Sequence, residues 1–274
     1  MQRREITEEA VRTAMQLRPR RICLASTHAN ALKEQPGNAH VGLISFPFDE
    51  TIKYVFEKMT GLSLFPSKFT GSFRSIRSQE ELSLIKQWVD SIKPHVFLRD
   101  TLSLSMALSE HFVSDGSTRS MVGELEYQAK YHQNEQAIAQ LVDMVVEFIQ
   151  KIPGYKRAVH MCAVPPRPGK EFDLPALISY NAALRLEKTD ITSRLRWNGK
   201  KPSLKETPVD QKWQKLTEVG MSCSASIAGP VVLIDDLYQS GITMQYVASM
   251  LINSGAPAVY GLSIVKSRND ADNV

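Results

Sequence analysis

The stretch that most constrains this 274-residue chain is Val231-Val232-Leu233-Ile234-Asp235-Asp236-Leu237-Tyr238-Gln239-Ser240-Gly241-Ile242-Thr243. Four consecutive apolar residues are the pattern of a strand buried on both faces, as in a parallel sheet. Two carboxylates follow where that strand emerges, and in open parallel sheets the carboxyl ends of strands face the ligand crevice. Gly241 permits a tight or positive-φ turn. A helix predicted from about Thr243 to Asn253 then points free N–H groups and the positive end of its dipole into the crevice. With the hydroxyls of Ser240 and Thr243 added, such a nest suits a phosphate monoester. Asp235 and Asp236 repel each other unless they face hydroxyl donors or a metal-bearing ligand, and a sugar diol meets that need. A strand end, polar turn and helix cap would give the same string, so the flanking segments decide. Ser254-Gly255-Ala256 ends the helix and Ala258–Val265 reads as a second strand, completing a right-handed βαβ crossover.

Upstream, a helix is predicted from Gln133 to about Gln150, with Ile138, Leu141, Val142, Val145 and Ile149 on one stripe and Pro153-Gly154 as its stop. The strand Ala158–Val164 runs into Pro165-Pro166-Arg167-Pro168-Gly169-Lys170, where a second phosphate loop is expected. Arg167 and Lys170 are charged donors for such a role, with Gly169 between them. An ordinary proline turn with solvated cations is the alternative. A helix follows over 176–186. The basic stretch Arg194–Lys215, containing Gly199, Pro202 and Pro208, reads as a mobile loop.

The N-terminal region alternates strands and helices. Thr7 caps a first helix, strands are expected at Arg21–Ala25, His40–Phe46 and His95–Leu98, and helical spacing runs through residues 50–59. Ser78 and Glu81 form a capping box ahead of Leu82, Ile85, Trp88, Val89 and Ile92. The domains predicted are therefore 1–115, a smaller α/β domain, and 118–274, a parallel-sheet α/β domain, with the seam at Asp115-Gly116-Ser117.

Composition excludes several classes. Cys23, Cys162 and Cys223 form no C-x-x-C pair, which argues against a zinc ribbon and a disulfide framework. No apolar run approaches the roughly 18 residues of a membrane span. The N-terminus lacks an apolar signal-peptide centre, so a cytoplasmic location is expected. The net charge of +4 is too small to demand nucleic acid as partner. There is no G-x-x-x-x-G-K-[ST] loop and no G-x-S-x-G. The six histidines show no ligand spacing, and His40, His95 and His160 fall at strand positions that suit hydrogen-bonded core residues.

Residues 235–243 resemble the signature of the type I phosphoribosyltransferases, which bind 5-phosphoribosyl 1-pyrophosphate. The layout from Gly123-Glu124-Leu125 to Ser267-Arg268 is most similar to the ComF-like competence branch, without that branch's N-terminal cysteine ribbon. The resemblance implies a Rossmann-like fold and Mg²⁺-dependent phosphoribosyl transfer, with the metal carried on the bound diphosphate rather than held directly by protein. It implies that Asp235 and Asp236 hold the ribose hydroxyls and that Gln239, Ser240, Gly241 and Thr243 wrap the 5′-phosphate. Arg167, Gly169 and Lys170 would bind pyrophosphate, and Arg194, Arg196, Lys200 and Lys201 would belong to a closing lid. Tyr238 and Gln239 depart from the usual small residues. The alternative that the resemblance carries is a non-catalytic sensor of that ligand or of a nucleotide, or an adaptor in DNA uptake, processing or defence. A protein partner at the N-terminal domain and a homodimer are compatible with either reading. Direct nucleic-acid binding through Trp197 and Trp213 among the loop lysines is a third reading, set against core or lid packing of the same tryptophans.

Overall fold

A computed structural model describes residues 5–35, 40–113, 116–166, 168–200, 204 and 207–268. The chain opens with α1 (Glu8–Gln16), capped by Thr7, whose side chain accepts from Ala10 N, and β1 (Arg21–Cys23). A small antiparallel sheet comes next, formed by β2 (Leu32–Glu34), β3 (Gly42–Phe46), β4 (Phe65–Pro66) and β5 (Ser72–Ile76), with α2 (Ile52–Thr60) between β3 and β4. α3 (Gln79–Ile92) begins at the expected box, since Ser78 Oγ accepts from Glu81 N at 3.3 Å. Its reciprocal half falls one residue early, with Glu81 Oε2 accepting from Arg77 N at 3.1 Å. His40 is exposed and precedes the strand predicted to hold it.

The chain continues through β6 (Val96–Leu98), β7 (Leu104–Glu110), α4 (Met121–His132), α5 (Glu135–Lys151), α6 (Pro153–Lys156), β8 (His160–Ala163), α7 (Leu174–Arg185) and β9 (Thr189–Asp190). A hairpin of β10 (Leu195–Trp197) and β11 (Met221–Cys223) holds α8 (Val209–Val219) in its connection, and β12 (Val231–Tyr238), α9 (Ile242–Asn253) and β13 (Val259–Lys266) end the described chain. The central sheet has the order β1-β6-β7-β13-β12-β8-β9, and four of its pairings, β7–β13, β13–β12, β12–β8 and β8–β9, are parallel. The fold is thus α/β on a mostly parallel sheet.

β12 and β13 pair side by side, as the apolar run of each dictates. Val232 and Ile234 face the core beneath α4, α5 and α7, whereas Val231 and Leu233 face the core beneath α1, α8 and α9. The seam expected at 115–117 falls between β7 and α4, with Asp115 itself outside the described residues. The sheet runs across that seam, because β7 lies parallel against β13 from Leu104↔Tyr260 to Glu110↔Lys266. Residues 21–23 and 96–110 are hydrogen-bonded into the same sheet as 118–274, and the four-stranded sheet is the part of 1–115 that stands apart. β7 reads locally like any short strand, so only its nonlocal partner reveals the assignment.

The described residues of the stretch 194–215 include regular elements where a mobile loop is expected. Leu195–Trp197 is a strand, and Val209, Trp213 and Leu216 give α8 an apolar stripe packed toward α9. Trp197 stacks on Tyr246 with ring centroids 6.0 Å apart and planes at 10°, and Trp213 meets the same ring edge-on at 5.2 Å. Both tryptophans are packing residues. Among the described residues no helix is long and apolar enough to cross a membrane.

Candidate functional site

β12 delivers its two carboxylates to the carboxyl edge of the sheet, beside the end of parallel β8. Asp235 and Asp236 line a cavity of about 460 Å³ with Lys130, Val164, Pro165, Pro166, Lys170, Asp173 and Pro175. The structure therefore brings the acid pair and the 164–170 turn, far apart in sequence, to one cavity. Gly169 adopts φ 80° in that turn, and Lys170 Nζ is 2.9 Å from Asp173 Oδ2. Asp173 also caps α7, accepting from Ala176 N at 3.1 Å. Arg167 lies outside the described residues.

The turn after the acids is braced from below. Gly241 has φ 77° and serves as N-cap of α9 without a side chain of its own to cap it, while Ser240 Oγ accepts from Ile242 N at 3.4 Å. Gln245 N donates to Gly241 O at 2.9 Å, closing the first turn. A Cβ at Gly241 would lie 2.2 Å from Cζ and Oη of Tyr238, so glycine is required by both backbone and space. Tyr238, at the position where the resemblance favours a smaller residue, is buried under the turn and donates from Oη to Asp100 Oδ2 at 2.9 Å. Arg20 Nη2 donates to Ser240 O at 2.8 Å, and Thr101 donates to Gln245 Oε1 from N and Oγ1 at 3.1 and 2.9 Å. Ser240 is buried, Thr243 is half-buried and Gln239 is exposed.

Asp100 is itself buried and accepts from Ser105 Oγ at 2.6 Å and Leu102 N at 3.0 Å. Burial pushes its carboxyl above the ordinary aspartate range, against the opposing pull of Ser105, Leu102, Tyr238 and Arg20. Burial likewise raises the Tyr238 phenol well above its usual value.

Sequence reading did not single out Lys130, Glu126, Arg20 or Asp100. Lys130 Nζ lies 2.8 Å from Asp236 Oδ2 and 3.2 Å from Glu126 Oε1, one turn earlier on α4. Burial opposes the Lys130 charge, yet Asp236 and Glu126 together raise its pKa above the usual lysine range. Burial raises Glu126, with Asp236 adding to the effect and Lys130 opposing it. The Glu126–Lys130 spacing of i,i+4 was the one available signal, and on sequence alone it reads as a common helix-surface pair.

The described residues assigned to a lid, Arg194, Arg196 and Lys200, are not on the cavity wall. Arg194 ends a 3₁₀ turn with its carbonyl accepting from Ser224 N at 2.9 Å, Arg196 and Lys200 are exposed, and Lys201 lies outside the described residues. Their hairpin is nevertheless tied to the cavity, because Trp197 Nε1 donates to Pro165 O at 3.1 Å. Among the described residues no group of three or more His, Cys, Asp or Glu is placed to hold a metal ion.

No family model matches the chain, and no curated protein matches it. Solved structures with partial likeness include adenine phosphoribosyltransferase from Leishmania tarentolae, at 13% identity over 62% of this chain and 94% of that chain, with a TM-score of 0.37. The adenine phosphoribosyltransferase of Trypanosoma brucei, in complex with AMP, pyrophosphate and ribose-5-phosphate, gives 14% identity, 61% and 85% coverage and a TM-score of 0.38. That of Thermoanaerobacter pseudethanolicus gives 16%, 49% and 82% coverage and 0.33. At such identities and scores the likeness carries no weight for reaction or ligand.

Proposed function

We propose that the cavity at Asp235 and Asp236 binds 5-phosphoribosyl 1-pyrophosphate or a related nucleotide, and that the protein transfers the phosphoribosyl group to an acceptor with release of pyrophosphate. The observation that carries this reading is the placement of adjacent carboxylates on β12 just past the end of parallel β8, ahead of the N-terminus of α9 and on one cavity with residues of the 164–170 turn. In this reading Asp235 and Asp236 accept from the ribose 2′- and 3′-hydroxyls. The N–H groups and hydroxyls of 239–243 take the 5′-phosphate, and Arg167, Gly169 and Lys170 take the diphosphate. The chain supplies placement and charge stabilisation for a cationic sugar parting from an anionic group.

The charge on the wall supports a metal-bearing ligand. Among the described residues of the wall, Asp173, Asp235 and Asp236 stand with Lys130 and Lys170, so the carboxylates there outnumber the ammonium groups and weaken the attraction for a bare diphosphate. Magnesium on the diphosphate would offset that charge, and Asp235 and Asp236 fit it as outer partners rather than as a closed ligand set. In this reading Trp197 keeps the hairpin bearing Arg194, Arg196, Lys200 and Lys201 attached to the cavity wall, from which those cations reach the ligand on closure.

A second reading, a non-catalytic sensor or adaptor, draws on the Lys130–Asp236 ion pair, which engages one of the two acids from within the protein. Pyrophosphate release separates the two. Incubation with 5-phosphoribosyl 1-pyrophosphate, Mg²⁺ and a panel of nucleobases and amines is expected to release pyrophosphate in an acceptor-dependent manner, and the Asp235→Asn/Asp236→Asn variant is expected not to. Magnesium-dependent binding without turnover across the panel favours the sensor.

A further inference from the structure

The carboxyl edge of the central sheet carries a second cavity. β1 is antiparallel to β6 and β6 to β7, so β1 runs in the same sense as β7, β13 and β12 and ends on the same edge as the acid pair. The chain leaving β1 folds into successive turns over 24–30, where His28 N donates to Cys23 O at 2.9 Å and Ala31 N to His28 O at 3.0 Å. Ser26 Oγ donates to Glu110 Oε2 at 2.7 Å, which pins those turns to the last residue of β7. Between the turns and the ends of β3 and β5 lies a cavity of about 430 Å³, lined by residues of 26–33, 45–47 and 67–72.

Its chemistry is opposite to that of the first. Among the described residues no Asp or Glu lines it, whereas Ser67, Thr70, Asn30 and Lys33 do. His28 also lines it, and burial together with Arg21 holds that imidazole below its ordinary value, which leaves Lys33 as the cationic side chain among the described lining residues. Ser72 is only 1% exposed and lines the same cavity, and among the described residues its Oγ has no hydrogen-bond partner. A buried hydroxyl left unpaired costs stability, so a partner arriving from outside would repay its retention. The volume falls within the range of small-molecule sites.

We propose that this cavity is a binding site for a small phosphorylated ligand, with Lys33 meeting the phosphoryl oxygens and Asn30 and Ser72 completing their hydrogen bonds. The site is separate from the Asp235–Asp236 cavity and does not depend on the function proposed there. The test is calorimetric titration of ribose 5-phosphate without Mg²⁺ into the full chain, with ribose as the uncharged control and inorganic phosphate as the bare anion. Lys33→Met is expected to weaken ribose 5-phosphate binding at least tenfold in the Asp235→Asn/Asp236→Asn background. Ser72→Ala is expected to weaken it severalfold while leaving the Tm of the ligand-free protein unchanged or raised. Tighter binding of the ester than of inorganic phosphate identifies a sugar phosphate as ligand, and equal binding identifies the free anion. Binding that ignores Lys33→Met, binding that matches the ribose control, or a lowered Tm in ligand-free Ser72→Ala would overturn the proposal.

Discussion

Tyr238 Oη and Asp100 Oδ2 are joined by a hydrogen bond of 2.9 Å that spans 138 positions of sequence and braces the turn between β12 and α9 from below. The bond explains why a bulky residue stands there. The ring fills the space that Gly241 leaves open, and its hydroxyl reaches a carboxyl that also accepts from Ser105 and Leu102. Removing one donor from a buried acceptor costs about 1–3 kcal/mol. Tyr238→Phe is therefore expected to lower the unfolding free energy by that amount in urea titrations, and a variant as stable as the parent would show that the bond does not hold the turn.

Gly241 is under two constraints at once, φ 77° and a Cβ position 2.2 Å from the Tyr238 ring. The left-handed conformation alone costs an L-residue about 1–2 kcal/mol, and the ring contact adds to it. Gly241→Ala is expected to destabilise the fold by more than about 1 kcal/mol in the same assay. A neutral effect would mean that the turn can relax without loss.

The Lys130 ammonium serves two carboxylates, Asp236 in the cavity and the buried Glu126 behind it. Truncating one partner of a buried ion pair leaves the others uncompensated, at a cost of about 3–5 kcal/mol. Lys130→Met is expected to be strongly destabilising, and adding Glu126→Gln is expected to recover part of the loss, because one stranded charge is removed. Thermal denaturation of the single and double variants measures this coupling, and strictly additive losses would count against it.

His95 gives the fold an acid limit. Its Nδ1 lies 2.9 Å from Leu108 O, its ring packs edge-on against Phe148, and burial pushes its pKa down to about 4. The folded state then binds fewer protons than the unfolded state below the unfolded value of 6.5, so stability is full above that pH and falls as pH drops toward 4. The shift corresponds to about 3 kcal/mol at its full extent. Urea midpoints measured from pH 7 to 4.5 are expected to fall less steeply in His95→Asn than in the parent, whatever the variant's absolute stability. Equal slopes would remove His95 from the acid response.

Local pattern revealed the elements whose cause is local. The run Val231–Ile234 announced a strand buried on both faces, Ser78 and Glu81 announced the start of α3, and the 133–150 stripe announced α5 within two residues of its observed start. Residue type and position relative to a strand end nominated the acid pair and Lys170, which the structure places on one cavity, and Gly241, which it places at the N-cap of α9. What stayed hidden depends on contacts between distant segments. β7 joins the central sheet through β13, Arg20 and Asp100 reach the turn from the N-terminal hundred residues, and Lys130 meets the acid pair only because α4, packed against β13 and β7, brings its ammonium to Asp236. The 194–215 stretch misled because its lysines, glycine and prolines mask Val209, Trp213 and Leu216, whose stripe has meaning only against Tyr246 and α9.

The proposed function stands on Asp235 and Asp236 as the sugar-binding pair of a phosphoribosyl pyrophosphate site. Calorimetric titration of 5-phosphoribosyl 1-pyrophosphate into the protein with and without Mg²⁺, beside the Asp235→Asn/Asp236→Asn variant, tests it most directly. Magnesium-dependent binding that the variant loses while remaining folded is the expected result, and binding that is absent from a well-folded parent, or equal in parent and variant, would contradict the proposed site.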